Sequence, residues 1–170
     1  MDKCSKFLQL DAPKVLYEAL NSLLIMYRHV PSITSYPVYL GTLDELLEPF
    51  VVKEPYEMAK KAIGLFLLNI DRTLCDSFVN ADLSGKDTIT ARIILELTIE
   101  MQLAIPNLTV KYDPERTSDE FMKLCIDCML KTAKPSFAND KMFTSEWGKD
   151  YAIASCYNGL REGGGGFTLP

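Results

Sequence analysis

Asn107-Leu-Thr-Val-Lys-Tyr-Asp-Pro114 decides the fold. Apolar and polar residues alternate along it, and Pro114 closes it sharply, so it reads as a β-strand with a defined end. Working downstream, Thr117 with Glu120 makes a capping box that opens a helix over 118–131. Pro135-Ser-Phe-Ala-Asn139 then reads as a second short strand, and Tyr151 to Cys156 as a last one. Upstream, Ser77-Phe-Val-Asn-Ala-Asp-Leu83 is a strand whose far end is polar, and Asp87 caps a helix over 88–103 in which Ile93, Ile94, Leu97 and Met101 recur at helical spacing. Strands alternating with helices are the pattern of parallel βαβ units, so the fold class is α/β, helix-rich, with short parallel strands.

The N-terminal third fits this scheme. A helix over 12–27 carries Leu16, Ala19, Leu20, Leu23 and Leu24 on one broad face and is expected to end at Pro31. Ile33 to Gly41 holds Pro37 inside an aromatic stretch, which suits a loop or an edge strand. Thr42 with Glu45 is a further capping box, and Pro55 opens a long apolar helix over 56–73. The 170 residues show no internal repeat and no linker, and they read as one unit.

Composition narrows the function classes. A net charge of −5 and a pI near 4.9 speak against a nucleic-acid partner, because phosphate binding needs a basic surface. No apolar stretch reaches the length of a membrane span, and Met1-Asp-Lys-Cys-Ser-Lys6 has no signal-peptide pattern. Five cysteines at uneven spacing fit a reduced cytoplasmic chain better than a disulfide framework.

The inferred strands end in Asn80 and Asp82, Lys111 and Asp113, Asn139, and Cys156 with Asn158. In parallel α/β folds the carboxyl ends of strands form the ligand-binding face, so a shared pocket is one reading. Turn-forming Asx residues that merely terminate strands are the other. Cys156 follows the apolar run Tyr151-Ala-Ile-Ala154 and precedes Gly163-Gly-Gly-Gly166, a backbone free to turn sharply. The chain has one histidine, His29, far upstream and more simply a helix-end residue, so a Cys-His nucleophile lacks its base. A thiol that gives up a hydrogen atom needs none.

Other motifs carry less. Cys125-Ile-Asp-Cys128 has C-x-x-C spacing but falls inside a helix with no second ligand pair, and reads as two buried free thiols. Cys4 and Cys75 have no partners at recognisable spacing, Trp147 reads as a core or interface anchor, and the glycine run lacks the Lys-Ser/Thr of a phosphate-binding loop.

Asn107-Leu-Thr-Val-Lys-Tyr-Asp-Pro114, Ala133-Lys-Pro-Ser-Phe-Ala-Asn139 and Ser155-Cys-Tyr-Asn-Gly-Leu160 with its glycine run resemble the YjjI-type glycyl radical enzymes, relatives of pyruvate formate-lyase. The resemblance extends through Tyr27-Arg-His-Val-Pro31, Pro37-Val-Tyr-Leu-Gly41, Leu46-Leu-Glu-Pro-Phe50 and Phe78-Val-Asn-Ala-Asp-Leu83, nearly the whole chain in order. It implies a barrel of ten strands in two five-stranded halves, of which residues 1–170 would be the first, with the cysteine loop near 155–166. It implies that Cys156 becomes a thiyl radical acting on a small organic molecule; the polar strand ends and the residues after Cys156 make Asn80, Lys111, Asn139, Tyr157 and Asn158 the substrate-pocket candidates. The radical glycine would be installed by a radical S-adenosylmethionine activating enzyme in an anaerobic, cytoplasmic setting. No Arg-Val-Cys-Gly-Tyr type radical motif occurs here, and no metal site is implied. The chain therefore resembles a half-barrel lacking its second half and its glycyl radical domain, and is expected to be inactive alone.

Two function classes follow: the catalytic part of a radical enzyme, or a non-catalytic α/β interaction module in which Cys156 is simply buried. A thiol hydrolase is a weaker third, for want of a histidine near Cys156. A lone half-barrel should also expose Val79, Leu108, Val110, Phe137, Ile153 and Phe167 as an apolar face, and self-associate through it.

Overall fold

A computed structural model describes residues 8–33, 38–72, 79–149, 151–153 and 159–160. Cys4, Cys75, Cys156, Tyr157, Asn158, the glycine run and Phe167 lie outside them. In chain order the elements are α1 (Leu16–Ile33), β1 (Val38–Thr42), α2 (Leu43–Val51), α3 (Tyr56–Arg72), β2 (Val79–Leu83), α4 (Ile89–Met101), β3 (Asn107–Tyr112), α5 (Asp119–Thr132), β4 (Ser136–Asn139), α6 (Asp140–Trp147), β5 (Ala152–Ile153) and β6 (Gly159–Leu160). The α/β class and the alternation read from the sequence are found. Four strands make one parallel sheet in the order β1-β2-β3-β4. β1, which begins just after Pro37 in the chain, is at the edge of the sheet, in keeping with the edge strand read from that stretch.

Register sorts the sheet into two faces, because side chains alternate with period two. Val79 pairs with Val38, Ala81 with Leu108, and Leu83 with Val110. These residues join one core with α1 to α5, including Ala59, Ile63, Leu67, Ile94, Leu95 and Phe121. Gly64 lets α3 approach α4 closely: a Cβ there would lie 3.3 Å from Leu97 Cδ2. The opposite parity carries Tyr39 beside Asn80, Asp82 beside Thr109, and Lys111 beside Ala138. A second, smaller core of Ala138, Tyr151 and Ile153, with Phe143 and Trp147 of α6 packed on it, forms apart from the core shared by α1 to α5. Trp147 meets Phe143 edge-on at 4.9 Å between centroids, as an anchor of that cluster.

Several expectations need correction. Val79, Leu108, Val110 and Ile153 are buried, and of the described residues expected to form a bare apolar face only Phe137, at 38%, is exposed. On β2 and β3 the apolar parity is the helix-covered one, which is why Val79, Leu108 and Val110 are buried. The strand expected over 151–156 is described only at Ala152–Ile153, and it pairs antiparallel with β6 instead of joining the parallel sheet. α1 runs through Pro31 to Ile33, since a proline in a last turn removes only one bond.

Two of the three capping assignments shift. Thr42 is the N-cap residue of α2 but makes no side-chain cap bond; its hydroxyl is 3.5 Å from Lys111 Nζ. Thr117 closes the turn after β3 by accepting from the Asp113 amide, which leaves Ser118 to cap α5 through the Phe121 amide. Asp87 pairs with Arg92, and Thr88 caps α4 through the Ala91 amide. For Thr117 and Asp87 the expected cap had a local partner of its own.

The thiols of Cys125 and Cys128 are buried on α5, as the sequence suggests. Burial pushes the Cys125 thiol up to about 12 and raises that of Cys128, so both are inert nucleophiles.

Candidate functional site

The polar face of the sheet is where charged chemistry is concentrated. Asp82, at the end of a V-N-A-D-L strand, is fully buried. Tyr39 donates from its hydroxyl to Asp82 Oδ2 at 2.7 Å, and Lys111 Nζ stands 3.4 Å from the same oxygen. Asp82 Oδ1 has no hydrogen-bond partner. Burial raises the Asp82 carboxyl above the usual range, against the opposing pull of Tyr39 and Lys111. Burial and the adjacent Asp82 push the Tyr39 phenol far up in turn.

Lys111, only 8% exposed, also donates to the Tyr151 carbonyl at 2.9 Å, and its ammonium lies 4.4 Å from the centroid of the Tyr151 ring. Tyr151 continues the network through its hydroxyl, which donates to Asp140 Oδ1 at 2.6 Å. Arg116 Nη2 donates to Asp140 Oδ2 at 2.8 Å and to the carbonyls of Ser84 and Lys111, tying the ends of β2 and β3 to the start of α6. Although burial opposes it, the Tyr151 hydroxyl and the Arg116 guanidinium hold Asp140 below the usual carboxylate range.

The carboxyl ends of the strands open into a cleft of about 630 Å³, lined among others by Thr42, Ser84, Lys111, Asp113, Arg116 and Asp140. Gly85 follows Ser84, one of the lining residues. It has φ +78°, and a Cβ there would meet the Lys111 carbonyl oxygen at 2.1 Å, so only glycine fits. A buried carboxylate below, Asp44, accepts from the Ser84 amide at 2.9 Å and from the Ser84 hydroxyl, fastening this loop to α2.

Of the expected site residues, Lys111 and Asn80 share the polar face, with Asn80 buried within β2 and not at a strand end. Asn139 does not join them. Its register partner is Tyr112, on the other parity, and its side chain caps α6 by accepting from the Met142 amide at 3.1 Å. Tyr157, Asn158 and Cys156 lie outside the described residues, in the connection between Ile153 and Gly159, and those two flanking residues pair with each other. Sequence reasoning missed Tyr39, Arg116, Asp140 and the second role of Tyr151. The signal for the first lies in parity: an ionisable residue on alternate positions of an otherwise buried strand needs a partner on the neighbouring strand.

Among the described residues no group of three His, Cys, Asp or Glu side chains is arranged to hold a metal. Nor, among them, is any helix long and apolar enough to cross a membrane.

With this geometry in place, comparison with known proteins adds the following. The family model described as "Glycyl radical enzyme YjjI-like" matches residues 1–170. An uncharacterized protein of Haemophilus influenzae is 48% identical over 169 residues, covering 99% of this chain and 32% of the relative. The uncharacterized protein YjjI of Escherichia coli K12 is 42% identical over 169 residues, covering 97% of this chain and 32% of the relative. The chain thus spans about a third of the length of the curated relatives it matches. No solved structure matches.

Proposed function

Because the chain belongs to the YjjI-like family of glycyl radical enzymes, we propose that it is the part of such an enzyme that carries the hydrogen-abstracting cysteine, Cys156. The parallel sheet is then one side of a ten-stranded barrel. Its helix-covered face is the outside, and its polar face looks toward the substrate. The observation that supports this reading is how the described residues on either side of 154–158 are held. Ile153 pairs with Gly159, and the Tyr151 carbonyl is held by Lys111 on the polar face.

The step itself is a hydrogen-atom transfer. A C–H bond of a small organic substrate breaks homolytically, its hydrogen forms the S–H bond of Cys156, and the substrate keeps the unpaired electron; the reverse transfer closes the cycle. No proton leaves, so no base is required. This agrees with a chain whose single histidine, His29, is exposed on α1. A glycyl radical, installed anaerobically with S-adenosylmethionine, supplies the unpaired electron. The four glycines at 163–166 lack the sequence context of a radical glycine, so that residue comes from the part of the relatives this chain does not span. Asn80, Lys111, Tyr157 and Asn158 surround the proposed pocket, and burial of the polar face keeps water from the radical.

The test is anaerobic reconstitution of the 170 residues with a polypeptide supplying the remaining two thirds, an activating enzyme and S-adenosylmethionine. The glycyl signal in electron paramagnetic resonance should require that second polypeptide. Consumption of a small molecule from an anaerobic cell extract should vanish in Cys156→Ser while the glycyl signal persists. Undiminished consumption by Cys156→Ser removes the proposal.

A further inference from the structure

Tyr151 is fixed at three separate points. Its carbonyl accepts from Lys111 Nζ, its hydroxyl donates to Asp140, and its ring meets both the Lys111 ammonium at 4.4 Å and the Phe143 ring, stacked at 5.3 Å. It is 1% exposed and immediately precedes β5, the strand that leads to Cys156. Burial alone would have been met by the apolar contacts of Ala138, Ile153 and Phe143, which are non-directional. A charged donor on a carbonyl sets direction as well as contact.

The ammonium of Lys111 has three hydrogens, and three acceptors of this chain surround it: the Tyr151 carbonyl at 2.9 Å, Asp82 Oδ2 at 3.4 Å and the Thr42 hydroxyl at 3.5 Å. None is left over for a substrate. Asp82 is in turn oriented by Tyr39. The run Tyr39, Asp82, Lys111, Tyr151 therefore connects β1, β2 and β3 to the base of the β5–β6 pair.

We propose that Lys111 is a positioning residue: held by Asp82, it clamps Tyr151 and so sets where the hairpin carries Cys156. The proposal rests on Cys156 being the hydrogen-atom carrier. It matters for that chemistry because hydrogen transfer requires the reacting atoms to be held within contact distance.

The test uses the 170-residue chain and no radical. Hydrogen exchange followed by mass spectrometry reads peptides spanning 151–160 against those spanning α4. A nitroxide on Cys156, with Cys4 and Cys75 replaced by serine, reports the placement of the hairpin directly. In Lys111→Met, exchange over 151–160 should accelerate about tenfold or more while α4 is unchanged, as expected for loss of a charged hydrogen bond from one local unit. The nitroxide spectrum should narrow, and Lys111→Arg should restore part of its breadth. Unchanged exchange over 151–160 and an unchanged spectrum in Lys111→Met overturn the proposal. If Lys111→Met loses its helical circular dichroism, Lys111→Gln decides, because it keeps a polar side chain on β3 while removing the charged bond to the Tyr151 carbonyl. Local acceleration then supports the clamp, and undisturbed protection overturns it. Neither readout involves turnover, so a failed clamp and a failed role for Cys156 give different results.

Discussion

On β3, Leu108 and Val110 face the helices while Thr109 and Lys111, one residue out of step, face the β5–β6 pair. Both sets are buried. They are buried differently. The helix-side residues belong to a core in which any well-packed apolar chain would serve, whereas every polar group on the other side needs a particular partner at a particular distance. Lys111, Asp82, Tyr39 and Tyr151 hold one another across three strands and the residue before β5, with Asp82 Oδ1 left without a partner, at the cost of desolvating two charges. A fold that needed only stability would have no use for that arrangement, and the polar face is accordingly where function is to be sought.

The largest effects should separate the faces by how they can be rescued. Leu83→Ala, on the helix side, should lower unfolding stability by about 3 kcal/mol in urea titration, the usual cost of a buried leucine truncation. Asp82→Ala should cost about as much, because it strands the Lys111 ammonium, whose side chain is 10% exposed. Only the second loss should be recoverable. Asp82→Leu combined with Lys111→Met should return most of the stability without returning protection to residues 151–160. Equal behaviour of the two faces in this comparison would break the distinction between them.

Alkaline titration sharpens it. Burial, then the neighbouring carboxyls, raise the Tyr39 and Tyr151 phenols, and burial raises the Cys125 thiol to about 12. All three keep their protons in the folded chain while the unfolded chain loses them between about pH 8.5 and 10. The unfolded state then binds fewer protons, so stability falls as pH rises above about 9. Melting temperatures between pH 8 and 11 should decline. Tyr39→Phe and Tyr151→Phe should flatten the part of that slope belonging to the polar face, and Cys125→Ala the part belonging to the helices.

The smallest effects concern the helix starts. Ser118→Ala should cost about 1 kcal/mol as a true cap. Glu45→Gln and Glu120→Gln, at the far ends of the two capping boxes read from the sequence, should each change stability by less than about 0.5 kcal/mol.

The sequence made the alternation of elements legible because hydrophobic period is a local property: the four long helices and the strands β2, β3 and β4 lie close to where that period puts them. Caps were misassigned because adjacent Thr-Ser and Asp-Thr pairs compete, and the winner is chosen by tertiary partners such as Arg92 and the Asp113 amide. The site was half legible. Lys111 stood out as a cation in an apolar strand, but Asn139 was misplaced because it lies one residue past Ala138, the β4 residue on the polar parity. Tyr39 and Asp140 reach the site only through pairings far apart in the chain.

The central claim is that the cysteine hairpin lies on the polar face of this sheet. A nitroxide on Cys156 tests it most directly through paramagnetic broadening of methyl resonances in the methyl-labelled chain. The Thr109 and Ala138 methyls, on the polar parity, should be broadened away, while those of Ile94 and Leu95 on α4 remain sharp. Broadening of Ile94 and Leu95 with Thr109 and Ala138 left sharp would contradict it.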